Sequence, residues 1–475
     1  MTKPDRFPAS WIAVPLALSL LAAGLAHLVL LRHMPLVGDA LDYHLQATAL
    51  LRGEFADRAF YYPPGMTFLL SLVYTMAGEN LLAVRLCILG LSVLTVLFVC
   101  LLTFELSGSK RLGRTAGILA AVYPPAILLS AQPYSNVLAS VCVTAIAWLW
   151  LRGTRRPSPW ALGAAGMLLG VGCLTRPSMV SLGIVMAVTW AVALRRCRSG
   201  RHPAPPPPAN SPPDTGRSLS RWPLARGGLL AALGFLLAVV PVLHHNAAVG
   251  AGWTLSTNNE GNFFKGNNPY TPLYKTSLFT QRRVDSLGLA PEAWRYITQY
   301  RGLPDRRQLE MRAALRHIAA KPHIFLLRTL NRCRAFWGFD YLATRQVQKW
   351  AHLGTGSALG LLLLEGGGYV AIVALALAGL LGGPGQGSRG PVWSTLGFVL
   401  AYQLPYAVSF AAGTYHFPVM GLLLPFAAFG FAGLAARWRQ SWRRLFDWPW
   451  PVWLAWGILA AIQVEYAYFT WKWVE

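Results

Sequence analysis

The sequence predicts an all-α polytopic membrane protein, with about eleven transmembrane helices, juxtamembrane helices and a small extracytoplasmic cap. Three observations carry this. Of 475 residues, 54% are hydrophobic and only 13% charged, where a soluble domain carries about 25% charged residues. Mean hydropathy is +0.41. Apolar runs of roughly 18 residues or more recur along the whole chain, and only helices or closed barrels satisfy their backbone in lipid. These runs are too long and too uniformly apolar for barrel strands.

In chain order, the expected spans are 11–31, 81–104, 115–131, 137–151, 160–175, 178–194, 227–246, 357–382, 392–411, 417–436 and 449–471. The first lacks a small-residue cleavage site at its end and reads as a retained span rather than a signal peptide. Lys3 and Arg6, Lys110 to Arg114, Arg152 to Arg156, the 195–226 segment and Arg437 to Arg444 fall on one side if the N-terminus is cytoplasmic. The short loops 132–136 and 412–415 on the other side hold no Lys or Arg. That is the positive-inside pattern.

Three regions follow: 1–246 with a first outer loop at 32–80, an extracytoplasmic loop or cap at 247–356, and C-terminal helices over 357–475. Within the cap, 304–320 is helically patterned. The Pro-rich stretch RHPAPPPPANSPPDTGRS, within 197–222, reads as a disordered cytoplasmic linker.

The net charge of +24 comes without a basic, aromatic-interleaved stripe on a soluble domain, so nucleic acid is not indicated. It reads instead as cation-rich loops facing anionic lipid. Six scattered cysteines offer neither a disulfide framework nor zinc spacing. No strong internal repeat supports a transporter built from two halves.

The chemistry concentrates on the outer face. GDALDYH places Asp39, Asp42 and Tyr43 before an apolar helical stretch that Gly53 stops, and Tyr62-Pro63-Pro64-Gly65 makes a rigid return to the membrane. The carboxylates read two ways: Asp39 as helix N-cap with Asp42 in the first turn, or Asp39 as general base for a hydroxyl. Arg176, before Pro177 at the outer end of the fifth span, is either a snorkelling anchor or a phosphate ligand. Lys265 lies in NNEGNFFKGNNP, a stretch that either cradles an anion or simply turns. Arg85 and His416 are further cationic candidates. His244, His245 and Asn246 end the seventh span, but neighbouring histidines diverge on a helix and make a poor metal pair.

Taken in order, these elements resemble the GT-C class of membrane glycosyltransferases. The nearest branch is the bacterial one that includes protein O-mannosyltransferases and the lipid A aminoarabinose transferase. The family aspartate falls on Asp39, the aromatic on Tyr43 and the proline pair on Pro63 and Pro64. Arg85, Tyr123-Pro124-Pro125 with Ser135-Asn136, Leu174-Thr175-Arg176-Pro177, HNAAVGAGWTLSTNNEGNFFKGNNP and TYHFPVMGLLLPFAA continue the resemblance. Departures are Ala40 where a Glu often follows the catalytic Asp, Asn136 where relatives have an acid, Tyr62 at a phosphate-binding Lys, and His416 at an Arg.

The resemblance implies an inverting transfer of a sugar from a polyprenyl-phosphate donor to an acceptor hydroxyl of a protein, lipid A or another envelope glycolipid. It implies Asp39, assisted by Asp42, as base. Arg176, Lys265, Arg85, His416, Tyr62, Tyr43, Asn136 and Asn246 would contact donor or acceptor. No metal site is assigned and no cofactor is required, although a divalent cation could neutralise the leaving phosphate. The expected location is the bacterial inner membrane, with the N-terminus cytoplasmic and the active site outside. Competing readings are a transporter or flippase for an anionic lipid-linked sugar, with Glu365 its main mid-span charge; an oligosaccharide ligase using a pyrophosphate-linked donor; and an inactive scaffold.

Overall fold

The computed structural model describes residues 10–198, 222–273, 291–382 and 389–474, and all regular structure among them is helical. The linker expected within 197–222 lies almost wholly outside the described residues. Among the described residues, seven helices are long and apolar enough to cross a membrane: Ser10–Leu30, Leu81–Ser107, Ser135–Arg155, Pro177–Cys197, Trp222–Ala248, Thr355–Leu381 and Gly413–Gln440. Each matches an expected span. Pro159–Thr175 is a shorter apolar helix, and 392–411 and 449–471 fall in the helices Arg389–Val408 and Trp450–Val474.

The span expected over 115–131 is corrected. It breaks into Lys110–Ala121 and Pro124–Leu129, because Pro124 and Pro125 cannot donate to a preceding turn and instead start a new helix. Ser135–Arg155 runs through the middle of the bundle and is the most completely buried span.

The Pro159–Thr175 and Trp222–Ala248 helices meet along a seam of small residues: Gly163, Gly166 and Gly170 face Gly227, Ala231 and Gly234. A Cβ on Gly166 would fall on the Ala231 backbone, and one on Gly170 would crowd the Phe235 carbonyl. Small residues let helix backbones approach this closely where lipid supplies no hydrophobic drive. The seam sets where Thr175 and Arg176 emerge.

At that end, Asp39–Leu51 and Gly65–Ala77 pack together, and the cap shares a cavity with the first of them. The cap comprises Asn259–Gly266, Pro291–Thr298, Arg306–Ala320, Pro322–Phe336 and Leu342–Ala351. It has its own small core of Phe264, Ala293, Ile297 and Ala314. Thr257 N donates to Phe60 O at 3.0 Å and Phe60 N to Asn246 Oδ1 at 3.0 Å, so Phe60 links the segment leading into the cap to the end of Trp222–Ala248.

Gly166→Ala should therefore lower the melting temperature of the detergent-purified protein, since overpacking of a tight contact costs about 1–3 kcal/mol. Gly360→Ala, whose added methyl meets nothing within 4 Å, should leave it unchanged or raise it slightly. Equal melting temperatures for the two variants would contradict the seam.

Candidate active site

Gly38 precedes the first outer helix with φ +57, a backbone that glycine adopts readily and side-chain residues rarely do. Gly38, not Asp39, is the N-cap, and Asp39 is the first helical residue with no side-chain cap bond at this terminus. The capping reading of Asp39 is corrected accordingly. Ala40, Tyr43 and Ala47 turn one face into the core. The helix is amphipathic in the usual i, i+3, i+7 manner.

Asp39 lines a cavity of about 790 Å³. It keeps a solvent path through that cavity, yet protein atoms displace most of the water around its carboxyl. The crowding outweighs the access. Loss of solvation raises the Asp39 pKa above the ordinary carboxylate range, the Arg176 charge pulls it back, and the Asp42 charge raises it further. Burial first, and the Asp39 charge second, push the Tyr43 phenol up to about 12. The Tyr62 phenol is also raised, by burial and then by the Asp39 and Asp42 charges. Both phenols therefore stay protonated and available as donors. Tyr62 donates to Asp42 Oδ2 at 3.1 Å.

Arg176 lines the same cavity. It follows the last turn of Pro159–Thr175 in extended conformation, with Pro177 fixing the next step. Its Nη1 donates to the Tyr406 hydroxyl at 3.0 Å, its Nη2 donates to Asn136 Oδ1, and its guanidinium lies 5.3 Å from the Tyr415 ring centre. All three partners are neutral. Among the described residues no carboxylate forms an ion pair with Arg176, and its buried Nε has no hydrogen-bond partner. The guanidinium is held but not neutralised.

The opposite wall comes from the cap, where Asn258, Asn259, Glu260, Asn262, Phe263 and Lys265 line the cavity. Glu260 is paired with Arg307 at 2.5 Å. Burial lowers the Lys265 pKa, with Glu310 opposing and Arg306 and Arg301 adding to the fall. Two buried arginines hold this wall. Arg332 donates to the carbonyls of Gly266, Ala407 and Val408 and to Asn267 Oδ1. Arg328 donates to the carbonyls of Asn268 and Thr271. Gly266 packs so closely that any Cβ would strike the Ser409 carbonyl.

Asp39, Tyr43, Tyr62, Arg176 and Lys265 thus share one cavity, with Asp42 bonded to Tyr62 and Asn136 bonded to Arg176 behind the wall. Three expected site residues lie elsewhere. Arg85 spends its guanidinium on the carbonyls of His27, Leu31 and Met34, closing the C-terminal end of the first span. Asn246 is fully buried and links Phe60 N to the Thr254 carbonyl. His416 is buried, bonds the Phe336 carbonyl at 2.8 Å and stacks on Tyr369 at 4.1 Å.

Sequence reading missed Tyr406, Tyr415, Ser178 and the asparagine wall. Tyr402 and Tyr406 stand four apart on one helix with hydroxyls 3.3 Å apart, a spacing that hints at a shared face. Tyr415 is the chain neighbour of His416.

Among the described residues no three His, Cys, Asp or Glu converge. His44 Nδ1 is occupied by Tyr74 Oη at 2.7 Å, and His245 Nε2 by the Arg58 carbonyl at 3.0 Å.

Arg332→Met would strip the guanidinium donors from the Gly266 and Ala407 carbonyls and from Asn267 Oδ1 beneath the cap wall, a type of loss that costs about 1–3 kcal/mol per buried group. Hydrogen–deuterium exchange over 259–273 should speed up while 135–155 stays protected. Unchanged exchange over 259–273 would show that the wall is held by something else.

Residues 62–204 match the family model described as dolichyl-phosphate-mannose-protein mannosyltransferase. Comparison with curated proteins finds no match. Two solved structures are similar at low scores. One is the archaeal oligosaccharyltransferase AglB from Archaeoglobus fulgidus, in complex with an inhibitory peptide and a dolichol-phosphate. The likeness has 12% identity and a TM-score of 0.43, covering 97% of this chain and 56% of that one. The other is ArnT from Cupriavidus metallidurans bound to undecaprenyl phosphate, with 16% identity and a TM-score of 0.40, covering 91% of this chain and 81% of that one. This chain therefore spans little more than half the length of the AglB chain. The matched residues 62–204 include Tyr62, Pro63 and Arg176 of the cavity wall, and over them the sequence is similar to that family model.

Proposed function

We propose that this protein is a membrane glycosyltransferase that moves a sugar from a polyprenyl-phosphate donor to an acceptor hydroxyl, with inversion. The acceptor would be a protein, lipid A or another envelope glycolipid on the outer face of a bacterial inner membrane. One observation carries the reading: the Asp39 carboxyl and the un-neutralised Arg176 guanidinium line a single cavity. The family match over 62–204 supports a lipid-phosphate sugar as donor.

In this reading Asp39 accepts the proton of the acceptor hydroxyl as its oxygen attacks the anomeric carbon. The bond from that carbon to the phosphate oxygen breaks on the opposite face, and the departing phosphate carries the negative charge away. Arg176 meets that charge, and Lys265 faces it from the cap. Donors already fixed in a site of restricted water stabilise developing charge without reorganising. The raised Asp39 pKa makes it a stronger base than a solvated carboxylate. Asn258, Asn259 and Asn262 offer amides of the kind that bind sugar hydroxyls, and Tyr61, Phe263 and Phe410 add ring faces.

The transporter reading drew on Glu365 as a mid-span charge. Its oxygens accept from Ala343 N at 3.3 Å and Thr344 N at 2.8 Å, at the N-terminus of Leu342–Ala351. That places an acid where free N–H groups and the helix dipole favour one, so Glu365 has a structural occupation.

Transfer from a panel of polyprenyl-phosphate sugars, followed by mass spectrometry, tests the proposal. Asp39→Asn should lower the rate about 10²–10⁴-fold while donor binding persists. Because the ionised form is active, rate should fall on the acid side through the raised Asp39 pKa. Arg176→Gln removes a charge that lowers this pKa and should move the acid limb to higher pH, whereas Asp42→Asn should move it lower. Parental rates in Asp39→Asn, or both limbs shifting the same way, would defeat the assignment.

A further inference from the structure

A second polar cavity lies at the other end of the bundle. Met420–Gln440 begins just after Tyr415, at the Asp39 cavity, and its 21 residues span about 30 Å, the thickness of a bilayer's hydrocarbon. Where it ends, a cavity of about 470 Å³ opens between its last turns, the end of Thr355–Leu381 and the Trp442–Phe446 turn. Arg437, Gln440, Arg444, Asp447 and Trp448 make its polar side, and Leu112, Ala378, Phe429 and Ala432 its apolar side.

Arg437 is held in place there. Its guanidinium lies 3.7 Å from the Trp448 ring centre, its Nε donates to the Asp447 carbonyl at 3.1 Å, and its Nη1 donates to the Gly433 carbonyl at 3.2 Å. Nη2 takes no part in these bonds. Arg444 Nη1 donates to Gln440 Oε1 at 2.5 Å. Among the described residues neither guanidinium forms an ion pair. Arg439, Arg443, Lys110, Arg111 and Arg114 add positive charge nearby in the chain or on the adjoining helix, while Asp447 is the one acid of the lining. Trp438, Trp442, Phe446 and Trp450 are each more than 60% exposed around this end, as interfacial aromatics are.

We infer that this cavity binds the phosphate headgroup of an anionic membrane phospholipid. Arg437 and Arg444 would take the phosphate oxygens, Gln440 the headgroup hydroxyls, and the Phe429 side the start of the acyl chains. The amphiphilic lining favours a lipid over a soluble phosphate, and basic pockets between helix ends bind such headgroups. The inference does not depend on the proposed transfer reaction.

The test uses the full chain in detergent, with phosphatidylglycerol retention measured by native mass spectrometry. Phosphatidylcholine, sn-glycerol 1-phosphate and inorganic phosphate serve as separate arms. Phosphatidylglycerol should be retained preferentially, and Arg444→Glu should weaken retention at least tenfold while leaving the lipid-free melting temperature unchanged. Arg444 is exposed, so this variant keeps its fold even if Arg437→Gln, which strips the Trp448 stack, does not. Arg312→Gln, at an exposed cap arginine, should change nothing. Three results would overturn the inference: parental retention in Arg444→Glu, an equal loss in Arg312→Gln, or displacement of the lipid by glycerol phosphate or inorganic phosphate at matched concentration.

Discussion

A guanidinium that is gripped but not neutralised organises one end of this molecule. Arg176 receives hydrogen-bond partners from Asn136 and Tyr406 and a ring face from Tyr415, yet its charge is left for whatever enters the cavity. A buried ion pair would have cancelled that charge and left little for a ligand to gain. Neutral partners keep the side chain in one place and the field intact. Asp39 answers from across the same cavity, held by a helix whose first residue follows the left-handed turn at Gly38.

Much of the remaining architecture serves that placement. The glycine seam sets where the Pro159–Thr175 helix ends, and Pro177 stops it so that Arg176 leaves in extended form. Asn136 opens the most buried span and reaches Arg176 from its first turn, while its Nδ2 donates to the Thr414 carbonyl at 3.2 Å. Thr414 Oγ1 in turn donates to Asp340 at 3.0 Å. Arg332 knits the cap wall to the end of Arg389–Val408 and Arg328 braces the segment after that wall, so Lys265 rides on a held helix. Three buried arginines, Arg85, Arg328 and Arg332, spend their donors on backbone carbonyls. They act as staples where helices end without enough acceptor partners of their own.

Those differences explain what was legible in the sequence. Span positions followed from run length and charge asymmetry, and only the Tyr123-Pro124-Pro125 break divided an expected span. Asp39, Tyr43 and Arg176 stood out because motif and local chemistry agreed at each, while Tyr62 departs from the family motif and was marked only by its place before the proline pair. Arg85, His416 and Asn246 looked equally functional in one dimension, but which face of a helix a polar residue takes is settled by tertiary packing. His416 turns into the bundle against Tyr369 while Tyr415, one residue earlier, lines the cavity. Tyr406 was unreadable for a related reason: it meets Arg176 and Ser178 only after segments more than 200 residues apart are brought together.

The two cavities give the molecule a polar site at each end, separated by a bilayer's thickness of apolar helix. The Asp39 cavity combines a carboxyl, a cation and an amide wall, and the Arg437 cavity combines cations with an apolar floor. The central claim concerns the Asp39 cavity, and a density map of the protein with a bound polyprenyl phosphate tests it most directly. The account predicts phosphate oxygens about 3 Å from the Arg176 guanidinium, with the Asp39 carboxyl facing the same space. A phosphate seated away from Arg176, or a carboxylate found neutralising that arginine, would contradict it.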